Sequence, residues 1–301
     1  MKTGVPKNLR FWGRKAVNME KTKELRVFAE EIRVETIKEL AHLGFGHMGG
    51  SMSVTETLAV LYGGQMNYDP KNPAMENRDR LVMSKGHAGP ALYAALALKG
   101  FFPLDRLNTL NQGGTTLPSH CDRLKTPGVD MTTGSLGQGA SMAVGLAKGA
   151  KMRGKDYFTY LILGDGECDE GQVWEAALSA AHLKLDNLIA FVDWNKQQLD
   201  GAVDDVLGLG DIAQKFRDFG WHTQQVDGHD IDALWRAVDQ AKAAKGQPSM
   251  IVLDTIKGNG CRLALETFPC HHLKFKPEQI APSVAEAEQA LAQARKALEV
   301  E

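Results

Sequence analysis

The sequence predicts a doubly wound α/β fold, a mostly parallel sheet flanked by helices. Three observations carry that expectation. Short apolar runs of strand length alternate along the chain with longer segments of helical spacing. Two of the runs, residues 157–163 (YFTYLIL) and 187–194 (NLIAFVDW), are separated by a single helical stretch and so form a βαβ unit. No internal repeat or low-complexity segment interrupts the pattern over the 301 residues, a length that sustains one large core.

Taken in order, residues 1–19 form an N-terminal arm, basic and carrying Phe11 and Trp12, suited to packing on a partner or to serving as a lead-in. Residues 20–43 have the spacing of a long amphipathic helix, and residues 53–62 predict a second one started by a Ser cap. Residues 67–80 are rich in Pro, Asn and charge and read as a surface connection. A third helix over 89–98 lies beneath the loop that bears His87. Residues 110–134 form a long segment holding His120, and long loops in compact domains usually serve function. Between the two apolar strands, residues 170–185 line Val173, Ala176, Ala177 and Ala180 along one helical face, with Glu170 in the first turn, where negative charge is favoured. The alternation continues with a helix over 211–219, a strand over 221–226, a helix over 231–244 and a strand over 250–255. Residues 276–301 are charged and alanine-rich, a helical tail after a main domain of residues 20–275.

Apolar residues make up 43% of the chain and charged ones 24%, the balance of a globular domain. A net charge of −2 without long single-sign blocks argues against nucleic acid or an anionic membrane as the partner. Cys121, Cys168, Cys261 and Cys270 include no CxxC pair, which favours a reducing compartment, and the N-terminus lacks the apolar core of a signal peptide, so the cytoplasm is expected. Neighbouring Cys270, His271 and His272 would rarely aim three side chains at one tetrahedral zinc.

The chemistry concentrates at Gly164-Asp165-Gly166 and at Asn195, thirty positions later, each just after a predicted strand. Carboxyl ends of neighbouring parallel strands are where open α/β sheets bind ligands, so one ion can touch both side chains. One carboxylate with amide and main-chain oxygens suits a hard cation, Mg²⁺ or Ca²⁺, that completes its shell with phosphate oxygens. The flanking glycines let the main chain approach a phosphate, and the following helix aims free N–H groups at it. A lone GDG is, by itself, equally a turn.

In company with four further segments, three of them bearing a histidine, it is more. Gly46-His47-Met48-Gly49, Ser84-Lys85-Gly86-His87-Ala88, Ser119-His120-Cys121-Asp122 and Thr133 to Gly139 (TGSLGQG) follow in an order and spacing that resemble the transketolases, within the thiamine-diphosphate enzymes. The later Lys257-Gly258-Asn259-Gly260 and Cys270-His271-His272 are similar to that family's KGKG and WHG or WHH segments. The likeness spans about residues 25–275 and implies the thiamine-diphosphate-binding fold, specifically its diphosphate-binding domain. It implies thiamine diphosphate and Mg²⁺, with Ca²⁺ or Mn²⁺ as substitutes, as cofactors. Residue by residue, it makes Asp165, Asn195 and the carbonyl of Gln197 the metal ligands. Gly166 and His87 fall on the diphosphate side, and Gly134, Ser135 and Leu136 bracket the cofactor rings. His47, His120 and His271 line the mouth as catalytic groups, His271 also near the diphosphate, with His272 its alternative. Imidazoles suit such a site because they both donate and accept protons near neutral pH.

The resemblance covers only the diphosphate-binding half of such an enzyme. It therefore implies the N-terminal subunit of a split transketolase, completed by a separate C-terminal, pyrimidine-binding subunit in a heterotetramer, with Glu170 and Glu175 toward the interface. Such an enzyme passes a two-carbon ketol unit from a ketose, by default phosphorylated, to an aldose. Alternatives are a 1-deoxyxylulose-5-phosphate synthase-like protein, the E1 α subunit of a 2-oxo acid dehydrogenase, or an assembly or regulatory homologue without catalysis. A Mg²⁺-dependent nucleotide site would want a Walker lysine after Gly166, and none follows. Met48, Ser119, Cys121 and Cys270 depart from the family pattern and leave the donor open, a non-phosphorylated sugar included.

Overall fold

In the computed structural model, residues 18–299 are described; residues 1–17 of the basic arm, Phe11 and Trp12 among them, lie outside these, and its last two residues open the first helix. Helix α1 (Met19–Leu43) starts at Asn18, whose side chain accepts the Lys21 N–H at 2.7 Å, and stops at Gly44 in the left-handed region (φ 83°). There follow β1 (Phe45–Gly46), α2 (Gly49–Met52), α3 (Thr55–Val60), β2 (Arg80–Met83), α4 (Gly89–Leu98) and α5 (Gln138–Met152). The chain continues through β3 (Thr159–Gly164), α6 (Gly171–His182), β4 (Leu188–Trp194), α7 (Val203–Leu207), α8 (Ile212–Asp218), β5 (His222–Asp227) and α9 (Ile231–Ala243). It ends with β6 (Ser249–Asp254), α10 (Arg262–Leu265), β7 (Leu273–Lys274) and α11 (Pro277–Glu299).

Five strands form one parallel sheet in the order β2-β3-β4-β6-β5, and β1 pairs antiparallel with β7. Side chains alternate across a strand, so each central strand feeds two cores. Tyr160, Ile162, Ile189, Phe191, Ile251 and Leu253 pack with α1, α3, α4, α9 and α11, while Leu161, Leu163, Ala190, Val192, Met250 and Val252 face α5, α6 and α8. Each buried Val, Leu, Ile, Phe or Met among them contributes roughly 1.5–3 kcal/mol. This is the doubly wound parallel fold that the alternating pattern predicts.

Local differences have physical causes. Neither Ser51 nor Ser53 caps α3, whose N-cap is Val54; the Ser53 hydroxyl donates instead to Asp193 Oδ2 at 2.7 Å. The end of the 67–80 connection is not on the surface. Arg78 and Asp79 are buried, Arg78 paired with Asp130, and Asp79 accepting the N–H groups of Asn67 and Phe158 at 2.8 Å. A 3₁₀ turn, Gly166–Asp169, separates the GDG segment from α6, so Glu170 is the N-cap of that helix and does not lie in its first turn.

Candidate functional site

All five strands point the same way, so the segments after β2, β3, β4 and β6 open on one edge of the sheet. His87 follows β2, Asp165 and Gly166 follow β3, Asn195 and Gln197 follow β4, and Lys257 follows β6. The β1–β7 pair brings two more segments to that edge. Its register sets Gly46 opposite Leu273, which places His47 beside the His271-His272 segment. Ring centroids of His47 lie 5.5 Å from His87, 5.1 Å from His120, 5.3 Å from His271 and 4.8 Å from His272, and His87 is 4.5 Å from His271. The four expected site histidines thus converge, and exposed His272 joins them at the rim.

Asp165 is buried, and its two oxygens accept the N–H groups of Gly166 at 2.8 Å and Lys196 at 2.6 Å. Burial and the nearby Asp193 carboxylate push its pKa up to about 6. Asn195 donates its Nδ2–H to Asp193 Oδ2 at 2.7 Å, which turns its Oδ1 toward the Gln197 N–H at 3.2 Å. A carboxylate carrying excess local negative charge, an oriented amide oxygen and the Gln197 carbonyl make a hard oxygen donor set, and these residues fit a divalent cation. Asp193 is the organiser here. Wholly buried, it also pairs with Lys85 and accepts the Thr255 hydroxyl at 2.5 Å, and the nearby ammonium holds its pKa below the usual range despite burial.

The imidazoles of His47, His87, His120 and His271 are neutral at neutral pH. Burial, reinforced by one another and by Lys257, brings His47 to about 4 and His271 to about 3; burial and Lys85 take His87 well below its ordinary value, and burial lowers His120. Lys257 Nζ stands 3.3 Å from His271 Nδ1. An ammonium only donates, so Nδ1 accepts and the ring proton of His271 is on Nε2. Main-chain bonds fix the segments: the Gly258 N–H donates to the Gly49 carbonyl at 3.0 Å, and the Gly49 N–H to that of Cys270 at 3.1 Å. His229 holds the Lys257 loop. Its Nε2 accepts the Ile256 N–H at 3.0 Å, leaving Nδ1–H to face Glu56 at 3.2 Å, and Glu56 pairs with buried Arg33.

The TGSLGQG segment closes the other side. Thr133 donates its hydroxyl to the Met83 carbonyl at 2.7 Å and its N–H to that of Cys121 at 3.0 Å. Gly134 has φ 140°, and a Cβ there would lie 3.2 Å from the His120 ring; a Cβ on Gly86 would lie 2.7 Å from the Gly134 nitrogen. Ser135 is exposed and Leu136 half-buried. Glu167, buried beneath, accepts from Ser84, from the Gly137 N–H at 2.9 Å and from the Gly164 N–H at 3.0 Å, clamping three site segments together. Sequence reasoning missed Lys85, Glu167, Asp193 and Lys257 as site-forming residues. Lys85 and Lys257 lie in the quoted motifs without an assigned role, and Glu167 and Asp193 are marked only by a charge beside a glycine turn or at the end of an apolar strand.

The family described as transketolase, thiamine diphosphate binding domain, matches residues 25–291. The 6-deoxy-6-sulfo-D-fructose transketolase subunit SqwG of Clostridium sp. (strain MSTE9) is 53% identical over 265 residues, 88% of this chain and 96% of that protein. A subunit of the apulose-4-phosphate transketolase of Phocaeicola vulgatus is 34% identical over 262 residues, 87% of this chain and 93% of that one. Among solved structures, a Pichia stipitis transketolase variant in complex with fructose 6-phosphate superposes with a TM-score of 0.79 at 30% identity, over 94% of this chain and 45% of that one. The chain therefore spans under half the length of that solved enzyme.

Proposed function

The chain belongs to the transketolase family, with that family's thiamine diphosphate binding domain, and from that membership we propose that it is the diphosphate-binding subunit of a two-chain transketolase. The observation that carries the reading is the meeting of His47, His87, His120 and His271 on the sheet edge that holds Asp165 and Asn195. When bound, thiamine diphosphate supplies the carbon nucleophile and the electron sink for cleaving the bond beside a ketose carbonyl. Asp165, Asn195 and the Gln197 carbonyl hold Mg²⁺, while Gly166 and His87 meet the diphosphate. Gly134, Ser135 and Leu136 bracket the rings. Each neutral imidazole offers one N–H and one lone pair, so His47, His120 and His271 orient sugar hydroxyls and take up the proton released as the carbon–carbon bond breaks. Loss of one such group costs roughly 10²–10⁴ in rate.

In this reading a second, pyrimidine-binding chain completes the site, two copies of each chain forming a heterotetramer. Two relatives of similar length named as subunits support it, as do exposed Glu170, Glu175 and Leu178 on or beside α6, a face on which another chain can dock. Among the described residues no helix is long and apolar enough to cross a membrane, and the four buried free cysteines suit a reducing cytoplasm.

The donor we propose is a ketose with an anionic terminus, sulfonate or phosphate, on the strength of the relative named for 6-deoxy-6-sulfo-D-fructose. A panel of 6-deoxy-6-sulfo-D-fructose, fructose 6-phosphate and fructose, each with an aldose acceptor and the reconstituted two-chain enzyme, tests it. The expected result is transfer from an anionic ketose with kcat/KM at least about tenfold above fructose, about 1.4 kcal/mol of discrimination. Transfer from none of the three ends the transketolase reading; preference for fructose ends only the anionic-donor part.

A further inference from the structure

His120 differs from the other mouth histidines in how it is held. Lys257 faces the Nδ1 of His271, whereas among the described residues none hydrogen-bonds the His120 ring, and burial alone lowers its pKa. Its place 5.1 Å from the His47 ring is therefore set by its own main chain and by packing against Gly134. On the C-terminal side that main chain is tied at Cys121, whose carbonyl accepts the Thr133 N–H at 3.0 Å and whose thiol lies 3.9 Å from the Gly86 carbonyl. On the N-terminal side the nearest tie is to Pro118, which has no N–H, so its carbonyl is its only main-chain hydrogen-bonding group. That carbonyl accepts the hydroxyl of Tyr93 at 2.9 Å. Tyr93 is wholly buried in the second turn of α4, and burial pushes its phenol up, so the hydroxyl stays a donor. Helix α4 begins two residues after His87, so one rigid element carries His87 at its entrance and, through Tyr93, holds the backbone two residues before His120.

Resting on the site reading above, we propose that Tyr93 is a positioning residue for His120: its hydroxyl fixes the Pro118 carbonyl and thereby the approach of the His120 imidazole to the sugar. Without that bond the backbone before His120 is free to shift, and a misplacement of about 1 Å in a reacting group costs on the order of 10²-fold in rate.

The test is a double-mutant cycle in the reconstituted two-chain enzyme, run with the fastest donor of the three-ketose panel and comparing the parent, Tyr93→Phe, His120→Ala and the double variant. Phenylalanine keeps the buried ring and removes only the donor. Tyr93→Phe is expected to lower kcat at least about tenfold while the thiamine diphosphate concentration giving half-maximal rate changes by less than about twofold, because the assigned metal ligands lie on other loops. In the His120→Ala background the same substitution is expected to alter kcat by less than about twofold, since no imidazole is left to place. A merely structural tyrosine would cost the same factor in both backgrounds, so an equal loss overturns the proposal, as does a Tyr93→Phe enzyme with the parent's kcat. Should Tyr93→Phe not fold, Tyr93→Met carries the same expectations. His120→Ala as active as the parent removes His120 from the mechanism and this proposal with it, whereas a parent that transfers from none of the three ketoses ends the transketolase reading itself.

Discussion

Replacing Asp165 with alanine is expected to abolish Mg²⁺-dependent binding of thiamine diphosphate, with a loss larger than the roughly 10–100-fold that removal of an outer-shell partner costs. Asp165 supplies the only carboxylate among the three assigned oxygen groups, so without it the ion meets an amide and a carbonyl alone. The fold should survive. The Gly166 and Lys196 N–H groups lose their acceptor, at about 1–3 kcal/mol each if water does not replace it, but a buried carboxylate held unfavourably beside Asp193 is also removed. Calorimetry of the two-chain complex reads the effect, and an affinity equal to the parent's removes the metal assignment. The pH dependence has a fixed sign. The ion needs the deprotonated carboxylate and the folded-state pKa is about 6, so protons compete below that value. Metal-dependent binding through this group falls by about tenfold per pH unit on the acid side of 6 and is flat above it.

The second large effect is on stability. Lys85 and Asp193 are 1% and 0% exposed and form an ion pair, with Ser53, Thr255 and Asn195 completing the hydrogen bonds of Asp193. Lys85→Met leaves an uncompensated buried carboxylate, which costs about 3–5 kcal/mol. Adding Asp193→Asn to Lys85→Met should recover much of that loss, because the stranded charge disappears with it, and the double-mutant cycle by urea unfolding isolates the pair. A Lys85→Met loss below about 1 kcal/mol, the size of an exposed ion pair, would show that the pair is not sealed from water.

How far the sequence could be read follows from where its signals lie. The central strands β3, β4 and β6 were legible because both of their faces are buried and their residues are therefore almost continuously apolar. Strand β2 was not: Arg80–Met83 is four residues long and begins with an arginine after a charged connection. Helix α5 was also missed, since Gly139, Gly145 and Gly149 dilute both its propensity and its amphipathic stripe. The histidines were found through motifs, and the structure explains their convergence by the β1–β7 register and the common direction of the strands. Lys85 and Lys257 sit in the same motifs, but the motifs gave them no role. A buried lysine is expected only when paired, and the partners of these two, Asp193 and the Gln197 carbonyl, lie on β4 and just beyond it, far away in sequence. Ser53 illustrates the same limit: its local context suggests a cap, while its hydrogen bond is made across 140 positions.

The proposed oxygen ligands Asp165 and Asn195 gain their meaning from the claim that this chain holds the diphosphate half of a site completed by another chain. Two-carbon transfer from ketose to aldose, measured with saturating thiamine diphosphate and Mg²⁺ on the purified chain alone and again after addition of the pyrimidine-binding subunit, tests that claim most directly. The account predicts no turnover from the chain alone and restored turnover with the partner; robust turnover by the single chain would contradict it.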